Sequence, residues 1–269
     1  MSRKMMEIKN KYGFQYSEPK DGDFVHGDHL LGTLAINPTG QWDLWLPEDE
    51  FQNRGYETYS CVTQATLNCA EILQRKKYTD PTNYSDRFLA TMSGTKTKGG
   101  NDFNTVAETF RKNGCCQETD WPFDAVDYDA FYTTPSDKII RLSQTQFAND
   151  NLGHSWITDT SPSSLKDALT YSPLSLSVHA WGTPDAQGIY HRTPGETDNH
   201  AITVYGYEEG EYWKVFDSYA QTHKKLAWDY GFGMGKRWTL DRVIATNPNP
   251  DGWINWTIFI QYIRNLLKI

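Results

Sequence analysis

The sequence predicts an α+β protein with helices in its first half and β-strands in its second half. Apolar residues recur at three- and four-residue intervals between residues 60 and 114, which is the spacing of amphipathic helices. After residue 173 apolar and polar residues alternate, as they do in strands. The 269 residues, 38% hydrophobic and 14% aromatic, suffice for one large domain or two tightly packed lobes.

The helical half contains three predicted helices. The first begins after Ser60, which can cap it, and its apolar face is formed by Val62, Ala65, Cys69 and Ile72. A second, short helix covers Asp86–Met92 and ends before Gly94. The third is capped by Asn101 or Asp102 and ended by Gly114. Its apolar face is formed by Phe103, Val106, Ala107 and Phe110.

The second half contains one predicted helix, at residues 163–171, followed by strands. The strands are predicted at residues 174–180, 201–207, 211–216, 238–244 and 253–260. Glu208-Glu209-Gly210 forms the turn of a hairpin between the second and third of them. We therefore expect a lead-in at residues 1–50, a mainly helical lobe at 51–130 and a mainly β lobe at 131–269, together forming one unit.

Charge and composition exclude several functions. The 26 Lys and Arg against 34 Asp and Glu give a net charge of −8, which argues against a nucleic-acid partner. The sequence contains no run of 18 apolar residues, so it predicts no membrane span. The sequence has no Cys-x-x-Cys pair, and the spacing around His26 and His29 fits no standard metal site. We therefore expect no metal site. The glycine-rich residues 231–236 lack the spacing of a phosphate-binding loop.

The cysteines and the N-terminus favour a reducing compartment. The chain starts without an apolar signal region, and neither Cys61 with Cys69 nor Cys115 with Cys116 has suitable geometry for a disulfide. We expect a reduced, cytoplasmic protein, of viral or prokaryotic origin. The oligomeric state is left open.

Cys61 is the candidate nucleophile. It lies in the first turn of its predicted helix, where unpaired N–H groups and the helix dipole favour a thiolate. The alternative is that Cys61 is a buried structural cysteine. For Cys69, in the middle of the same helix, the structural role is the favoured interpretation.

His200 is the candidate base, because it opens a hairpin strand opposite an acidic residue. With Glu209 and Gly210 as the loop, His200 faces Tyr219 and Asp217 lies on the diagonal; a loop one residue different brings Asp217 nearly opposite. In both registers Asp217 can orient the imidazole and favour its protonated form.

From about residue 52 to about residue 220 the chain resembles the papain-like cysteine peptidases. Tyr59-Ser60-Cys61-Val62 corresponds to the family's nucleophile motif, and Gly99-Gly100 to its substrate-binding glycine pair. Four further motifs follow in the family's order: Asn113-Gly114 with Trp121-Pro122-Phe123, Pro173-Leu174-Ser175-Leu176, Gly188-Ile189-Tyr190, and Asn199-His200-Ala201 followed by Asp217-Ser218-Tyr219.

The chain departs from the family pattern at three positions. Asp217 replaces the family's orienting Asn, and Tyr219 replaces the Trp that shields the histidine. The position of the family's oxyanion-hole glutamine falls on Gly55. Gln52 takes that role if Tyr56, Glu57 and Thr58 are inserted, and Gln64 is a poorer candidate. We expect neither the family's disulfides nor a long inhibitory propeptide, since the lead-in before the nucleophile motif is short.

The resemblance implies a two-lobe fold, with a helical lobe, an antiparallel β-barrel-like lobe and an active-site cleft between them. It implies hydrolysis of a polypeptide through a thioester, with Cys61, His200, Asp217 and Gln52 as catalytic residues and no cofactor. The residues implied to bind substrate are Gly99, Gly100, Asn101, Asp102, Asp198, Ala201 and Tyr219. A polar, acidic pocket formed by Asn101, Asp102, Asp198 and Ala201 would admit basic side chains.

Two alternatives use the same fold. The first is a peptidoglycan amidase or an acyl transferase that intercepts the thioester with an amine. The second is a catalytically inactive peptide-binding homologue, which the departure at Gly55 favours. Cleavage of casein or of fluorogenic dipeptides, without cell wall or amine acceptor, distinguishes the peptidase from both.

Overall fold

The structure is a computed structural model that describes residues 13–27, 35–124, 126–219 and 222–242. Six α-helices lie in these ranges: α1 Cys61–Tyr78, α2 Asp86–Met92, α3 Phe103–Asn113, α4 Tyr128–Phe131, α5 Asp137–Gln146 and α6 Pro162–Leu169. Seven strands lie there too: β1 Asp150–Ile157, β2 Leu174–Val178, β3 Ile189–Tyr190, β4 His200–Glu208, β5 Tyr212–Phe216, β6 His223–Ala227 and β7 Gly235–Arg242. The mixed α+β class is confirmed.

Helix α1 is the central helix of the fold. All residues from Cys61 to Gln74 are buried, including polar ones that lie outside the predicted apolar face. The backbone carbonyl of Ala65 accepts hydrogen bonds from Ser175 Oγ of β2 at 2.9 Å and from Thr203 Oγ1 of β4 at 3.2 Å. These polar contacts fix the helix against the sheet and thereby position its N-terminal residue, Cys61.

The seven strands form one sheet in the order β1-β7-β2-β4-β5-β6-β3. All paired neighbours are antiparallel except β3 and β6, which are parallel. Within the described residues the sheet is open, since β1 and β3 are its two edges. The expected barrel-like lobe is therefore an open sheet that α1 covers.

The β4–β5 hairpin has the predicted register next to His200, but its loop is longer than predicted and one strand contains a bulge. Glu208 pairs with Tyr212, so the loop has three residues instead of two. A bulge between Val204 and Gly206 then offsets the extra residue, and Thr203 faces Phe216. Beyond the bulge the register is the one that places Asp217 on the diagonal from His200.

Several elements were not predicted from the sequence. Helices α4 and α5 and strands β1, β3 and β6 lie between or beside the predicted elements. Strand β1 is polar and half exposed, and the β6 sequence His-Lys-Lys-Leu-Ala contains three basic or titratable residues. Both therefore lack the apolar alternation that identifies a strand. The strand predicted at residues 253–260 lies outside the described residues.

Four carboxyl groups cluster between α1, α2 and the loops beside them: Glu50, Glu71 and Asp86 are buried and Glu118 is half-buried. Burial, together with the mutual repulsion of these groups, raises the pKa of each carboxyl above its ordinary value, for Glu118 to about 7. Because the folded state binds protons more tightly than the unfolded state, these groups reduce stability as the pH rises from about 4 towards 7 and beyond.

Glu118→Gln is therefore expected to raise the free energy of unfolding by about 1–2 kcal/mol at pH 8 and to leave it nearly unchanged at about pH 4, below the ordinary pKa of the carboxyl. Glutamine keeps an oxygen that can accept the 2.6 Å hydrogen bond from the Phe123 N–H, but it cannot ionise. Thermal denaturation at both pH values checks this, with the exposed Glu211→Gln as control. An equal change at both pH values would contradict it.

Candidate active site

Cys61 lies at the N-terminus of α1 and faces the start of β4. Its thiol accepts a hydrogen bond from the backbone of Ala201, the residue after His200. Cys61 is fully buried. Burial raises the pKa of the thiol; the Ala201 hydrogen bond acts against this, and the Glu57 and Asp217 charges add to it. The lowered pKa expected from the helix terminus is thus outweighed in this closed arrangement.

His200 and Asp217 form a buried hydrogen-bonded pair. His200 Nε2 lies 2.6 Å from Asp217 Oδ1, and both side chains are fully buried. Two further groups reach Oδ2 of Asp217: Lys224 Nζ at 2.7 Å and Trp181 Nε1 at 3.0 Å. Burial alone would raise the pKa of Asp217, but the charges and hydrogen bonds of His200 and Lys224 lower it. Asp217 is thereby held as a carboxylate beside the imidazole.

Two aromatic rings enclose the His200 imidazole. The ring of Tyr219 lies 5.4 Å away and that of Trp181 lies 5.8 Å away, both inclined steeply to the imidazole. The sequence predicted Tyr219 as the shielding ring, and the structure places it there together with Trp181. Trp181 lacked a sequence signal, because it follows β2 in an irregular segment.

Gln52 lies on the other side of the site, beside Ser218 and Tyr219. Its side-chain oxygen accepts from Ser218 Oγ at 2.7 Å, and its backbone N–H donates to the Ser218 carbonyl at 2.9 Å. Gln64 instead lies within α1, and its amide makes no hydrogen bond to the described residues. Gly55 is exposed. Of these three positions, Gln52 is the one that contacts the segment next to Asp217.

The carboxylate of Glu57 contacts the side-chain amide of Gln52. Its Oε1 accepts from Gln52 Nε2 at 2.6 Å and from the backbone N–H of Tyr59 at 2.7 Å. Its Oε2 accepts from the Tyr219 hydroxyl, which also lies 2.9 Å from Gln52 Nε2. The sequence assigned no role to Glu57, which stood only as one of three inserted residues.

The segment Gly13–Gln15 lies along the residues expected to bind substrate. The Gly13 carbonyl accepts from the Asn101 N–H at 2.8 Å, and the Gln15 N–H donates to the Asn101 carbonyl at 2.7 Å. The Gln15 side chain donates to the carbonyls of Gly99 at 2.6 Å and Gly100 at 3.1 Å. The Asn101 backbone thus pairs with this segment as an added strand would, whereas Gly99 and Gly100 contact it through the Gln15 side chain.

Phe14, in the middle of that segment, is almost fully buried. Its ring lies 5.4 Å from that of Phe103, and its N–H points at the Asn199 carbonyl at 3.4 Å. An aromatic side chain therefore occupies the groove between the start of α3 and the residue before His200.

The acidic side chains expected to border the substrate pocket are engaged elsewhere. Asp102 caps α3 by accepting from the N–H groups of Asn104 and Thr105. Asp198 pairs with Arg192 at 2.7 Å and accepts from Ser177 Oγ at 2.5 Å. The charge of Asp198 is therefore compensated by Arg192, and the carboxylate of Asp102 is held at the N-terminus of α3.

Comparison with known protein families gives a match over residues 52–229 to the papain family cysteine proteases. The chain belongs to the papain family. The match contains every residue from Gln52 to Tyr219 that forms the site described above. A search of curated proteins gave no match.

Solved structures of papain-like proteases share the fold at low sequence identity. Procathepsin L2 from the larval midgut of Tenebrio molitor gives a TM-score of 0.62 at 15% identity, covering 89% of this chain and 81% of its own. Xylellain, a cysteine protease from Xylella fastidiosa, gives 0.62 at 15% identity, covering 88% and 97%. Bromelain from Ananas comosus, in complex with the E64 inhibitor, gives 0.52 at 16% identity, covering 76% and 97%.

The described residues contain no helix long and apolar enough to cross a bilayer, and no group of three or more His, Cys, Asp or Glu arranged to hold a metal ion. His26 pairs with Asp167 at 3.2 Å, whereas His29 lies outside the described residues. The four cysteines are free thiols.

Proposed function

We propose that this papain-family protein is a cysteine peptidase that cleaves peptide bonds through a thioester on Cys61. The observation that carries the proposal is the buried pair of His200 and Asp217. His200 begins β4, and the backbone of the next residue, Ala201, donates a hydrogen bond to the Cys61 thiol. Membership in the family supports hydrolase chemistry. The roles of the individual residues are the finer part of the proposal.

The first step forms the thioester. With Nε2 of His200 bound to Asp217, the other ring nitrogen, Nδ1, takes the thiol proton of Cys61. The sulfur attacks the carbonyl carbon of the substrate, a C–S bond forms, and the C=O π electrons move to the oxygen. When the intermediate collapses, the C–N bond breaks and His200 returns its proton to the leaving amine.

The second step consumes water. His200 takes a proton from a water molecule, whose oxygen attacks the thioester carbon. The C–S bond then breaks, the acid leaves, and the sulfur regains a proton from His200. Asp217 keeps the imidazole in one orientation through both steps and stabilises its charged form.

The oxyanion of both intermediates needs hydrogen-bond donors. We assign this role to the backbone N–H of Cys61 and the side-chain amide of Gln52, which lies next to Ser218 and Tyr219. A donor of this kind contributes about 3 kcal/mol to transition-state stabilisation.

We propose that a polypeptide substrate binds in extended form along Gly99, Gly100 and Asn101. The pairing of the Gly13 and Gln15 backbones with Asn101 supports this, since it uses backbone groups that any peptide presents. The burial of Phe14 against Phe103 favours an apolar or aromatic side chain at this position of the substrate. This replaces the expectation of a basic one, because Asp198 is paired with Arg192.

The described conformation is a closed one. Cys61 has no exposed surface, and Gly13–Gln15 lies where we place the substrate. We therefore propose that this segment leaves the cleft before substrate binds. The four free cysteines agree with the reducing, cytoplasmic location that we propose, which rests on the sequence.

Incubation with casein and a peptide library under reducing conditions tests the function. The wild-type chain is expected to cleave peptides with apolar residues two positions before the cut, whereas Cys61→Ser is expected to cleave none. The E64 epoxide should label Cys61 in the wild type. Labelling without cleavage of any peptide would support an inactive binding homologue, and cleavage by Cys61→Ser would exclude the proposed nucleophile.

A further inference from the structure

We propose that Glu57 is a built-in competitor for the oxyanion donor of this site and holds the enzyme in a low-activity state until its side chain swings away. The proposal rests on the proposed function, since it assumes that Gln52 serves the oxyanion. It assigns a regulatory role to a residue of this chain that the family pattern does not contain.

The hydrogen bonds of Gln52 are the first support. An amide nitrogen has two N–H groups, and Gln52 Nε2 lies 2.6 Å from Glu57 Oε1 and 2.9 Å from the Tyr219 hydroxyl. Both N–H groups are thus engaged by acceptors within the protein. The Gln52 oxygen is held by Ser218 Oγ at 2.7 Å, which prevents a simple flip of the amide. The donor becomes available to an oxyanion only when Glu57 withdraws.

The charge of Glu57 is the second support. Catalysis of this kind requires donors and positive potential where negative charge develops. A carboxylate beside Gln52 places negative potential there instead, and it also acts to raise the pKa of Cys61. Glu57 therefore disfavours both the thiolate and the oxyanion.

The position of Glu57 allows it to move. Its side chain is partly exposed, whereas Gln52 and Cys61 are buried. It belongs to the segment Tyr56–Thr58, which precedes a Tyr59 held at a φ of 55°, a backbone conformation unfavourable for a residue with a side chain. The Tyr59 N–H is one of the donors to Glu57, so this local strain is coupled to the closed position of the carboxylate.

Two substitutions test the proposal. Glu57→Ala removes the carboxylate and its hydrogen bonds, and Glu57→Gln removes the charge but keeps an acceptor. Glu211→Gln makes the same charge change at the exposed tip of the β4–β5 hairpin and serves as control. All variants are made in the full chain, and thermal denaturation establishes that each is folded.

The two probes differ in whether they need the oxyanion donor. N-acetyl-phenylalanyl-glycinal adds to a thiol as a hemithioacetal: the C–S bond forms, and the aldehyde oxygen becomes the oxyanion and then takes the thiol proton. Iodoacetamide alkylates the same sulfur by displacing iodide and forms no oxyanion. Aldehyde binding is measured as protection of Cys61 from iodoacetamide, with Cys61→Ser as the blank for the other cysteines.

Glu57→Ala is expected to increase aldehyde affinity at least tenfold more than it increases the alkylation rate, and to raise kcat on dipeptide substrates at least tenfold. Glu57→Gln is expected to shift both in the same direction by a smaller factor. If both variants leave the ratio of aldehyde affinity to alkylation rate unchanged, or reduce it, the proposal is overturned.

The outcome separates the two proposals. If the ratio rises in the Glu57 variants but no chain cleaves a peptide, the competitor role of Glu57 holds and the peptidase function fails. If peptides are cleaved by a Cys61-dependent activity that the Glu57 variants do not increase, the role of Glu57 fails and the peptidase function holds.

Discussion

Asp217→Ala is expected to lower the free energy of unfolding by about 3–5 kcal/mol and peptidase activity by at least about 100-fold. Asp217 is the shared partner of two buried side chains, the imidazole of His200 at 2.6 Å and the ammonium group of Lys224 at 2.7 Å. Removal of the carboxylate takes a buried hydrogen-bonded counter-charge from Lys224 and the orienting partner from the imidazole. Chemical denaturation and kcat/KM on a fluorogenic dipeptide measure the two effects.

Two companion variants separate charge from orientation. Asp217→Asn keeps an oxygen that can accept from His200 Nε2 but removes the counter-charge of Lys224, so stability is expected to fall while most of the activity persists. Asp217→Ala/Lys224→Met removes both members of the Lys224 pair, so stability is expected to recover relative to Asp217→Ala while activity stays low. Full activity of the double variant would show that Asp217 does not orient His200.

The hairpin that joins His200 to Asp217 shows what the sequence could predict. The alternation of apolar residues in β4 and β5 and the Gly210 turn fix the pairing of the strands to within one residue. The exact register depended on a bulge near Tyr205, which has no sequence signal of its own. The proximity of His200 and Asp217 was predictable because both possible registers allow it.

The contacts that close the site were not predictable in the same way. Phe14 contacts Phe103 and Glu57 contacts Tyr219, and both partners are far away in the chain, while Lys224 reaches Asp217 from a strand that lacks apolar alternation. Local propensity and spacing report on neighbours along one helix or strand. They carry no information on which loop lies across the cleft, so the closed state and the raised pKa of Cys61 emerge only from the three-dimensional structure.

Gly13→Ala is expected to open the cleft and to raise both the alkylation rate of Cys61 by iodoacetamide and kcat/KM on dipeptides at least about tenfold. Gly13 has a φ of 98°, which a residue with a Cβ adopts only under strain. A Cβ at this position would also overlap the backbone carbonyl of Tyr59. Because the Gly13 carbonyl accepts the hydrogen bond from Asn101, displacing it removes the pairing that holds Gly13–Gln15 over the substrate residues.

Gly22→Ala provides a matched control within the same N-terminal segment. Gly22 has a similar φ of 88°, but an added Cβ would meet nothing within 4 Å. The substitution therefore introduces comparable backbone strain without a clash against the cleft. If both variants are activated equally, the cause is general loosening of the segment; if neither is, Gly13–Gln15 does not control access to Cys61. Activation by Gly13→Ala but not by Gly22→Ala would support departure of the segment from the cleft. Only at Gly13 does the added methyl group meet the backbone of Tyr59, two residues before Cys61.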